Sequence, residues 1–142
     1  MTLTWINDTD LRGGVMNCRY LVGNDYEIAM ILKRLDVSIN QLIDTGINVI
    51  ITLGEKGVNY YGVGAKRASP VLVKAFKVIK MIDPTGAGDA WRGGFVAGLL
   101  NGNKIKDCLK LGNVMASFAI EKYGTVNHRP TKKEIEKRMG KI

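Results

Sequence analysis

The sequence predicts an α/β fold in which parallel strands are flanked by helices, and three observations predict it. A short apolar run at residues 20–22 leads into a segment with apolar residues at helical spacing, which is typical of a strand followed by a helix. Residues 48–53 are almost all apolar and mostly β-branched, as in a strand buried on both faces of a parallel sheet. Residues 86–100 and 105–122 then repeat apolar side chains at helical spacing. Strands followed by helices in this order are typical of an α/β domain.

The first third of the chain contains one part without a clear pattern and two predicted helices. Residues 1–19 are irregular and include a Gly-Gly pair, so no element is predicted there. Residues 24–35 carry apolar side chains at positions 28, 31, 32 and 35, which favours an amphipathic helix. A shorter helix is predicted around residues 38–44, because Gly46 follows at the position where helices commonly end.

Short strands are predicted between residues 58 and 82, where glycine and proline interrupt the apolar runs. Residues 71–73 and 78–79 have the composition of antiparallel or edge strands, and the lysines beside them would keep such an edge from pairing with other chains. We therefore expect a short antiparallel or edge segment beside the parallel strands.

Beyond their first turns, the two long helices predicted in the second half of the chain contain Gly93, Gly94, Gly98 and Gly112. Each costs about 1 kcal/mol of helix stability relative to alanine. The pattern therefore predicts that these helices pack with their backbones close together.

The chain is basic, with 21 Lys and Arg residues against 13 Asp and Glu and a formal net charge of +8. The basic residues cluster only at residues 129–141, where Thr131 and Glu134 have the spacing of a helix capping box. No nucleic-acid motif accompanies them, so we interpret this part as the solvated face of a terminal helix and expect neither nucleic acid nor a membrane as partner.

Cysteine and hydropathy patterns indicate the compartment. Cys18 and Cys108 form no CxxC pair, so neither a zinc site nor a disulfide framework is predicted. No segment has the pattern of a signal peptide or the roughly eighteen apolar residues that a membrane helix needs. The expected location is therefore cytoplasmic.

The sharpest local feature is the loop of residues 83–89, Asp-Pro-Thr-Gly-Ala-Gly-Asp, which precedes a long predicted helix. Gly86, Ala87 and Gly88 carry little or no side chain, and their amides at the helix start lack intrahelical acceptors. Such an end favours an anion such as a phosphate. A carboxylate at Asp89 would repel that phosphate, unless its task is to take a proton from a hydroxyl that attacks it. The structural alternative is that Asp89 only stabilises the helix dipole.

Residues 83–95 resemble the C-terminal signature of the ribokinase-like (PfkB) carbohydrate kinase family, a pattern close to D-x-T-G-A-G-D-x-F-x-x-G-F, with Trp91 in place of the usual Phe or Tyr. Residues 24–27, Asn-Asp-Tyr-Glu, resemble the family's N-x-x-E motif, and residues 52–57 resemble its nucleotide-binding T-L-G-x-x-G turn. The three motifs stand in the family's order. Arg92 and residues 123–128 look most like the prokaryotic adenosine or nucleoside kinase branch.

The resemblance implies an enzyme of the ribokinase-like fold that transfers phosphate from ATP, with Mg2+, to a primary hydroxyl of a sugar or nucleoside. Asp89 would be the catalytic base that deprotonates this hydroxyl. The amides of Gly86, Ala87 and Gly88 would form the anion hole for the transferred phosphoryl group. This assignment agrees with what the loop chemistry alone indicates.

The resemblance also implies two metal sites. Asn24 and Glu27 would act together on a magnesium-bound water, although an Asn with a Glu three positions later is also a capping box. In many relatives the equivalents of Asp83 and Thr85 hold a monovalent cation such as K+, so these two residues are the candidate cation site here.

The nucleotide itself would contact residues from two further parts of the chain. Thr52, Gly54 and Gly57 would line the ATP site, and Asn113 would lie near the adenine and ribose. The alternative for Asn113 is an ordinary polar position on a helix face.

Family members are roughly twice as long as this chain of 142 residues. The expectation is therefore that residues 1–142 form the C-terminal, nucleotide-binding half of one ribokinase-like domain, without the N-terminal acceptor-binding half and lid. Two hypotheses follow: a sugar or nucleoside kinase, or a non-catalytic ATP-binding module. The expected partners are ATP, an acceptor, and either the missing half or a second copy across an exposed sheet edge.

Overall fold

The structure is a computed structural model that describes residues 5–64 and 69–140. The chain divides into two compact units, which are described one at a time. The first unit runs to Leu53 and resumes over Val58–Leu72. The second consists of Gly54–Gly57 and the chain from Val73 onward.

The first unit contains three helices and most of a four-stranded sheet. The elements in chain order are α1 (Asp8–Met16), β1 (Tyr20–Asn24), α2 (Asp25–Leu35), α3 (Ile39–Asp44), β2 (Asn48–Thr52), β3 (Val58–Tyr61) and β4 (Val71–Val73), of which the last residue, Val73, belongs to the second unit. The sheet order is β1-β2-β3-β4, so β1 and β4 are its edge strands. The α/β class, the two strands and the two helices predicted over residues 20–53 are confirmed.

The sheet is mixed, as the sequence predicts. β1 and β2 run parallel, with Tyr20 opposite Asn48 at one end and Asn24 opposite Thr52 at the other. β2 and β3 run antiparallel, which confirms the antiparallel segment that follows the parallel pair. The carboxyl ends of β1 and β2 therefore meet at the same edge of the sheet.

Helix α1 lies where no element is predicted, and this is a correction. The Asn7 side chain caps it by accepting the Asp10 amide at 2.8 Å, and Leu11 and Val15 are buried. With only two buried positions and a Gly-Gly pair, the helix has a weak period, so the packing of those two side chains decides its formation. They join the core of the first unit, whose buried members are Leu11, Val15, Ile28, Ile31, Leu35, Leu42, Ile47 and Val49.

The second unit begins with a 3₁₀ turn, and its long elements are helices. Its elements are the 3₁₀ turn (Gly54–Lys56), α4 (Ala87–Leu100), α5 (Ile105–Ile120) and α6 (Lys132–Arg138). The two long helices predicted over residues 86–122 are confirmed as α4 and α5, which pack against each other.

Of the four glycines predicted to let the helices pack closely, three lie in the contact between α4 and α5. A Cβ on Gly94 would lie 2.8 Å from the Leu111 carbonyl oxygen, and one on Gly112 would lie 2.7 Å from the Trp91 indole. Gly98 faces α5 in the same way. The prediction is wrong only for Gly93, which faces outward: apart from its chain neighbours and the backbone of its own helix, no described atom lies within 4 Å of its Cβ position.

Residues 78–79 form no strand, contrary to the prediction. The Ile79 amide donates to a carboxylate oxygen of Glu121 at 3.1 Å, and its side chain is 94% exposed. The amides of Ile82 and Asp83 both donate to the Ile120 carbonyl at the end of α5. Because the end of α5 supplies these acceptors, the segment is held without a neighbouring strand.

Helix α6 carries the predicted capping box of Thr131 and Glu134. Its basic face is only partly solvated, because the Arg138 guanidinium stacks 3.7 Å from the centre of the Phe118 ring and forms an ion pair with Glu121 at 2.9 Å. One positive charge of the terminal cluster thus fastens α6 to α5. Among the described residues, no helix is long and apolar enough to span a bilayer.

Candidate active site

The start of α4 presents backbone amides that have no partner among the residues that the structure describes. Gly86 is the N-cap residue, with a left-handed φ of 82° and no side chain to cap the helix. The Ala87 amide donates to the Pro84 carbonyl at 3.2 Å. The amides of Gly86 and Gly88 have no acceptor within the described part of the chain. Of the three predicted anion-hole amides, two are therefore open to a ligand, at the positive end of the helix dipole.

The loop before α4 is held by the Asp83 carboxylate. One of its oxygens accepts the Thr85 amide at 2.9 Å, and the other accepts the Gly124 amide at 3.0 Å. Hydrogen bonds from the Thr85 hydroxyl and amide, and then from the Gly124 amide, hold the pKa of Asp83 below its ordinary value. A Cβ on Gly86 would lie 3.0 Å from the Thr125 backbone, so the loop packs closely on residues 124–125. The carboxylate thus shapes the loop as an acceptor of backbone amides.

Asp89 lies in the first turn of α4 with its side chain 85% exposed. One of its oxygens accepts a hydrogen bond from the Arg92 guanidinium at 3.0 Å. An exposed ion pair of this kind contributes little to stability and exchanges readily. The carboxylate is therefore accessible to an incoming hydroxyl, while its place in the first turn also suits the helix dipole.

The glycine turn after β2 is built by close backbone packing within the second unit. The Gly57 amide donates to the Gly54 carbonyl at 3.1 Å, and both glycines have positive φ. A Cβ on Gly57 would overlap the Val73 carbonyl oxygen and lie 2.6 Å from the Ala75 amide nitrogen. Only glycine fits this position, since both the space and the backbone conformation exclude a side chain.

Asn113 is buried in α5, only 5% exposed, and its side chain is engaged by the protein. Its oxygen accepts the Trp91 indole N–H at 2.8 Å, and its nitrogen donates to the carbonyls of Val73 and Lys74, each at 3.0 Å. Both amide hydrogens are thus used. Sequence reasoning missed this contact, although an indole N–H in place of Phe or Tyr was the available signal, since a buried tryptophan needs an acceptor.

In the first unit, the structure brings together the three predicted residues at the carboxyl edge of the parallel strands. Asn24 and Glu27 form a reciprocal capping box: the Asn24 side chain accepts the Glu27 amide at 2.8 Å, and Glu27 accepts the Asn24 amide at 3.0 Å. Thr52 lies opposite Asn24, and its hydroxyl donates to the Gly23 carbonyl at 3.4 Å. Ligands of α/β proteins commonly bind at this edge of a sheet.

The sequence of residues 4–132 matches the family model named pfkB family carbohydrate kinase. Among curated relatives, a nucleoside kinase of Methanothermobacter thermautotrophicus is 34% identical over 131 residues, which are 92% of this chain and 40% of that protein. A cytidine kinase of Thermococcus kodakarensis is 38% identical over 117 residues, covering 80% of this chain and 41% of that protein.

Solved structures agree with these matches. The nucleoside kinase of Methanocaldococcus jannaschii, described as an archaeal member of the ribokinase family, superposes with a TM-score of 0.89 at 27% identity and covers 100% of this chain and 46% of its own. The nucleoside kinase of Burkholderia thailandensis in complex with ADP-inosine gives 0.90 at 28% identity, over 99% of this chain and 43% of its own. The chain thus spans less than half the length of these proteins, and it has the corresponding part of the ribokinase-like fold. It belongs to the pfkB family of carbohydrate kinases.

Proposed function

We propose that this chain is the nucleotide-binding and catalytic part of a kinase that transfers the γ-phosphoryl group of ATP to a primary hydroxyl of a sugar or nucleoside. The observation that carries the proposal is the start of α4, where the amides of Gly86 and Gly88, without a partner in the described chain, lie within one helical turn of the residue that carries the exposed Asp89 carboxylate. Donors for an anion and an acceptor for a proton are the two groups that this reaction needs.

The proposed step balances without any further reactant. Asp89 takes the proton of the acceptor hydroxyl while the hydroxyl oxygen forms a bond to the γ-phosphorus. The bond from that phosphorus to the β–γ bridging oxygen breaks at the same time. ADP leaves with the electron pair of that bond. The amides of Gly86 and Gly88 donate to the phosphoryl oxygens, where negative charge accumulates. The Ala87 amide joins them only if it releases the Pro84 carbonyl.

The reaction would use Mg2+ and K+, and the side chains that could bind these ions limit where each would lie. Within residues 5–64 and 69–140 no three His, Cys, Asp or Glu side chains form a metal site. This suits Mg2+, which is commonly held by nucleotide phosphates and water and here would neutralise phosphate charge. Asn24 and Glu27 are proposed to act through a magnesium-bound water. At Asp83 and Thr85, K+ would have to share carboxylate oxygens that already accept two amides.

Two observations favour a nucleoside as the acceptor. Two solved nucleoside kinases superpose with TM-scores of 0.88 to 0.90, whereas three solved ribokinases give 0.74 to 0.78. The Burkholderia thailandensis enzyme is described in complex with inosine and with ADP-inosine. We therefore propose a purine or pyrimidine nucleoside rather than free ribose as the first acceptor to test.

The partner needed for turnover follows from the length of the relatives. Since this chain covers 40–46% of them, we propose that the remaining half supplies the acceptor pocket and the lid. Strand β1 is an edge of the sheet, and a sheet edge is where a strand of that half or of a second copy would pair. Without such a partner the chain would act only as an ATP-binding module, which is the alternative function.

Calorimetric titration with ATP and a non-hydrolysable analogue tests the nucleotide part of the proposal. Assays of phosphotransfer to adenosine, inosine, cytidine, ribose and the fructose phosphates test which acceptor is phosphorylated. ATP binding with turnover on a nucleoside is the expected result for the chain with its partner half. Binding without turnover on any acceptor favours the ATP-binding module, and the absence of ATP binding contradicts both.

A further inference from the structure

Asn113 lies at the centre of a continuous series of contacts within the second unit. On one side its oxygen accepts the Trp91 indole N–H of α4, two residues after Asp89. On the other side its nitrogen donates to the carbonyls of Val73 and Lys74. The backbone of residues 73–75 in turn packs directly on Gly57. One side chain therefore connects the glycine turn with α4.

Burial makes this connection stiff. Asn113 is 5% exposed and Trp91 is 3% exposed, so neither polar group can exchange its partner for water without opening the unit. Gly112 lies against the indole, where a Cβ would come within 2.7 Å of the ring, and the Phe95 ring stacks on it at 5.2 Å. The indole is thus fixed in plane and direction, and its N–H is aimed at Asn113.

We propose that Asn113 and Trp91 are positioning residues that set the place of the glycine turn, residues 54–57, relative to the start of α4. Asn113 then acts through the protein rather than by touching the nucleotide, because both of its amide hydrogens are used by Val73 and Lys74. The role of the turn as a nucleotide contact rests on the proposed function. The mechanical connection itself does not.

Hydrogen exchange at the Gly57 amide tests the connection without any ligand. This amide donates to Gly54 and is compared with the amide of buried Val114 in α5. In Asn113→Ala we expect the Gly57 rate to rise about tenfold relative to Val114, since an interaction of about 1.4 kcal/mol corresponds to tenfold. Trp91→Phe keeps an aromatic ring but loses the donor, so a smaller rise of a few-fold is expected.

Leu109→Ala is the matched control, since Leu109 is equally buried on α5 and makes no hydrogen bond through its side chain. It should accelerate both amides alike and leave their ratio unchanged. An unchanged ratio in Asn113→Ala and Trp91→Phe, or an equal rise in the control, overturns the proposal. If Asn113→Ala does not fold, the milder Trp91→Phe decides alone.

A titration with ATP and Mg2+ then asks whether the connection reaches the nucleotide. The NMR signal of the Trp91 indole N–H should shift on binding, with Trp5→Phe used to assign it, and Asn113→Ala should weaken ATP binding about tenfold. Tight binding with an unmoved indole and unchanged affinity in Asn113→Ala overturns the link to the nucleotide. A chain that shows the expected exchange ratios but binds no ATP contradicts the proposed function and leaves the connection intact.

Discussion

The two polar centres of the second unit differ in how their hydrogen bonds are used. At the start of α4, the amides of Gly86 and Gly88 have no acceptor in the described chain, and the Asp89 carboxylate is exposed. At Asn113, every donor of a buried side chain is paired with the protein. Groups that wait for a ligand contribute little to folding, whereas paired buried groups are costly to lose. The two centres should therefore fail in opposite ways when they are changed.

The largest expected effect is on turnover at the exposed centre. Asp89→Asn keeps the size of the side chain but removes the base, so phosphotransfer by the chain with its partner half should fall about 10²- to 10⁴-fold. ATP affinity and the urea midpoint should barely change, because this side chain is exposed and its pair with Arg92 is weak. Steady-state kinetics and calorimetry measure both. Equal losses of binding and turnover would assign Asp89 a structural role.

At Asn113, the buried centre, we expect a large loss of folding stability. Asn113→Ala leaves the Trp91 indole N–H and the Val73 carbonyl without their partner, which should lower the free energy of unfolding by about 2–4 kcal/mol. Urea unfolding followed by circular dichroism measures the loss. Asp89→Asn is the reference from the exposed centre, and a similar loss in both variants would remove the distinction between them.

Most of the secondary structure follows from the sequence because its signals are local. The apolar run of β2, the capping boxes of α2 and α6 and the periods of α4 and α5 are each legible within one element. Helix α1 and the failed strand at residues 78–79 depend on partners distant in sequence, such as Ile28 and Glu121. No local pattern reports those contacts.

The candidate site divides in the same way. The start of α4 is predictable because glycines and an acidic residue at a helix start have direct chemical meaning. Asn113 contacts Trp91 and Val73, which are separated from it by 22 and 40 positions in sequence, so only the fold reveals these contacts. The capping box at Asn24 and Glu27 is legible as a cap, while contact with a magnesium-bound water stays a prediction.

Two neighbouring glycines of α4 sharpen the comparison on a smaller scale. Gly94→Ala should destabilise by about 1–3 kcal/mol, because its Cβ would lie 2.8 Å from the Leu111 carbonyl oxygen. Gly93→Ala should instead stabilise by about 0.5–1 kcal/mol, since it faces open space and alanine favours the helix. Thermal unfolding of the pair measures the sign at each position. A loss at Gly93 would show that this face is covered.

Asp83 lies in the loop before α4, beside the groups that have no partner, but its own carboxylate is hydrogen-bonded within the protein as Asn113 is. It therefore combines features of the two polar centres. Its pKa is lowered in the folded chain by hydrogen bonds from Thr85 and then Gly124. Folding therefore gains from the ionised form at pH values above the unfolded-state pKa, and loses that gain as the pH falls through the lower, folded-state pKa.

The expected effect of Asp83 is the smallest of the series and is confined to acid pH. The difference in unfolding free energy between the wild type and Asp83→Asn should be constant near neutrality and shrink below about pH 4, near the ordinary pKa of aspartate. Glu134, whose pKa is also lowered, chiefly by the Thr131 hydroxyl, is present in both proteins and cancels. A difference that does not vary with pH would mean that Asp83 holds the loop by shape alone, as Asn113 holds its own partners. The carboxylate charge would then serve a ligand rather than the fold.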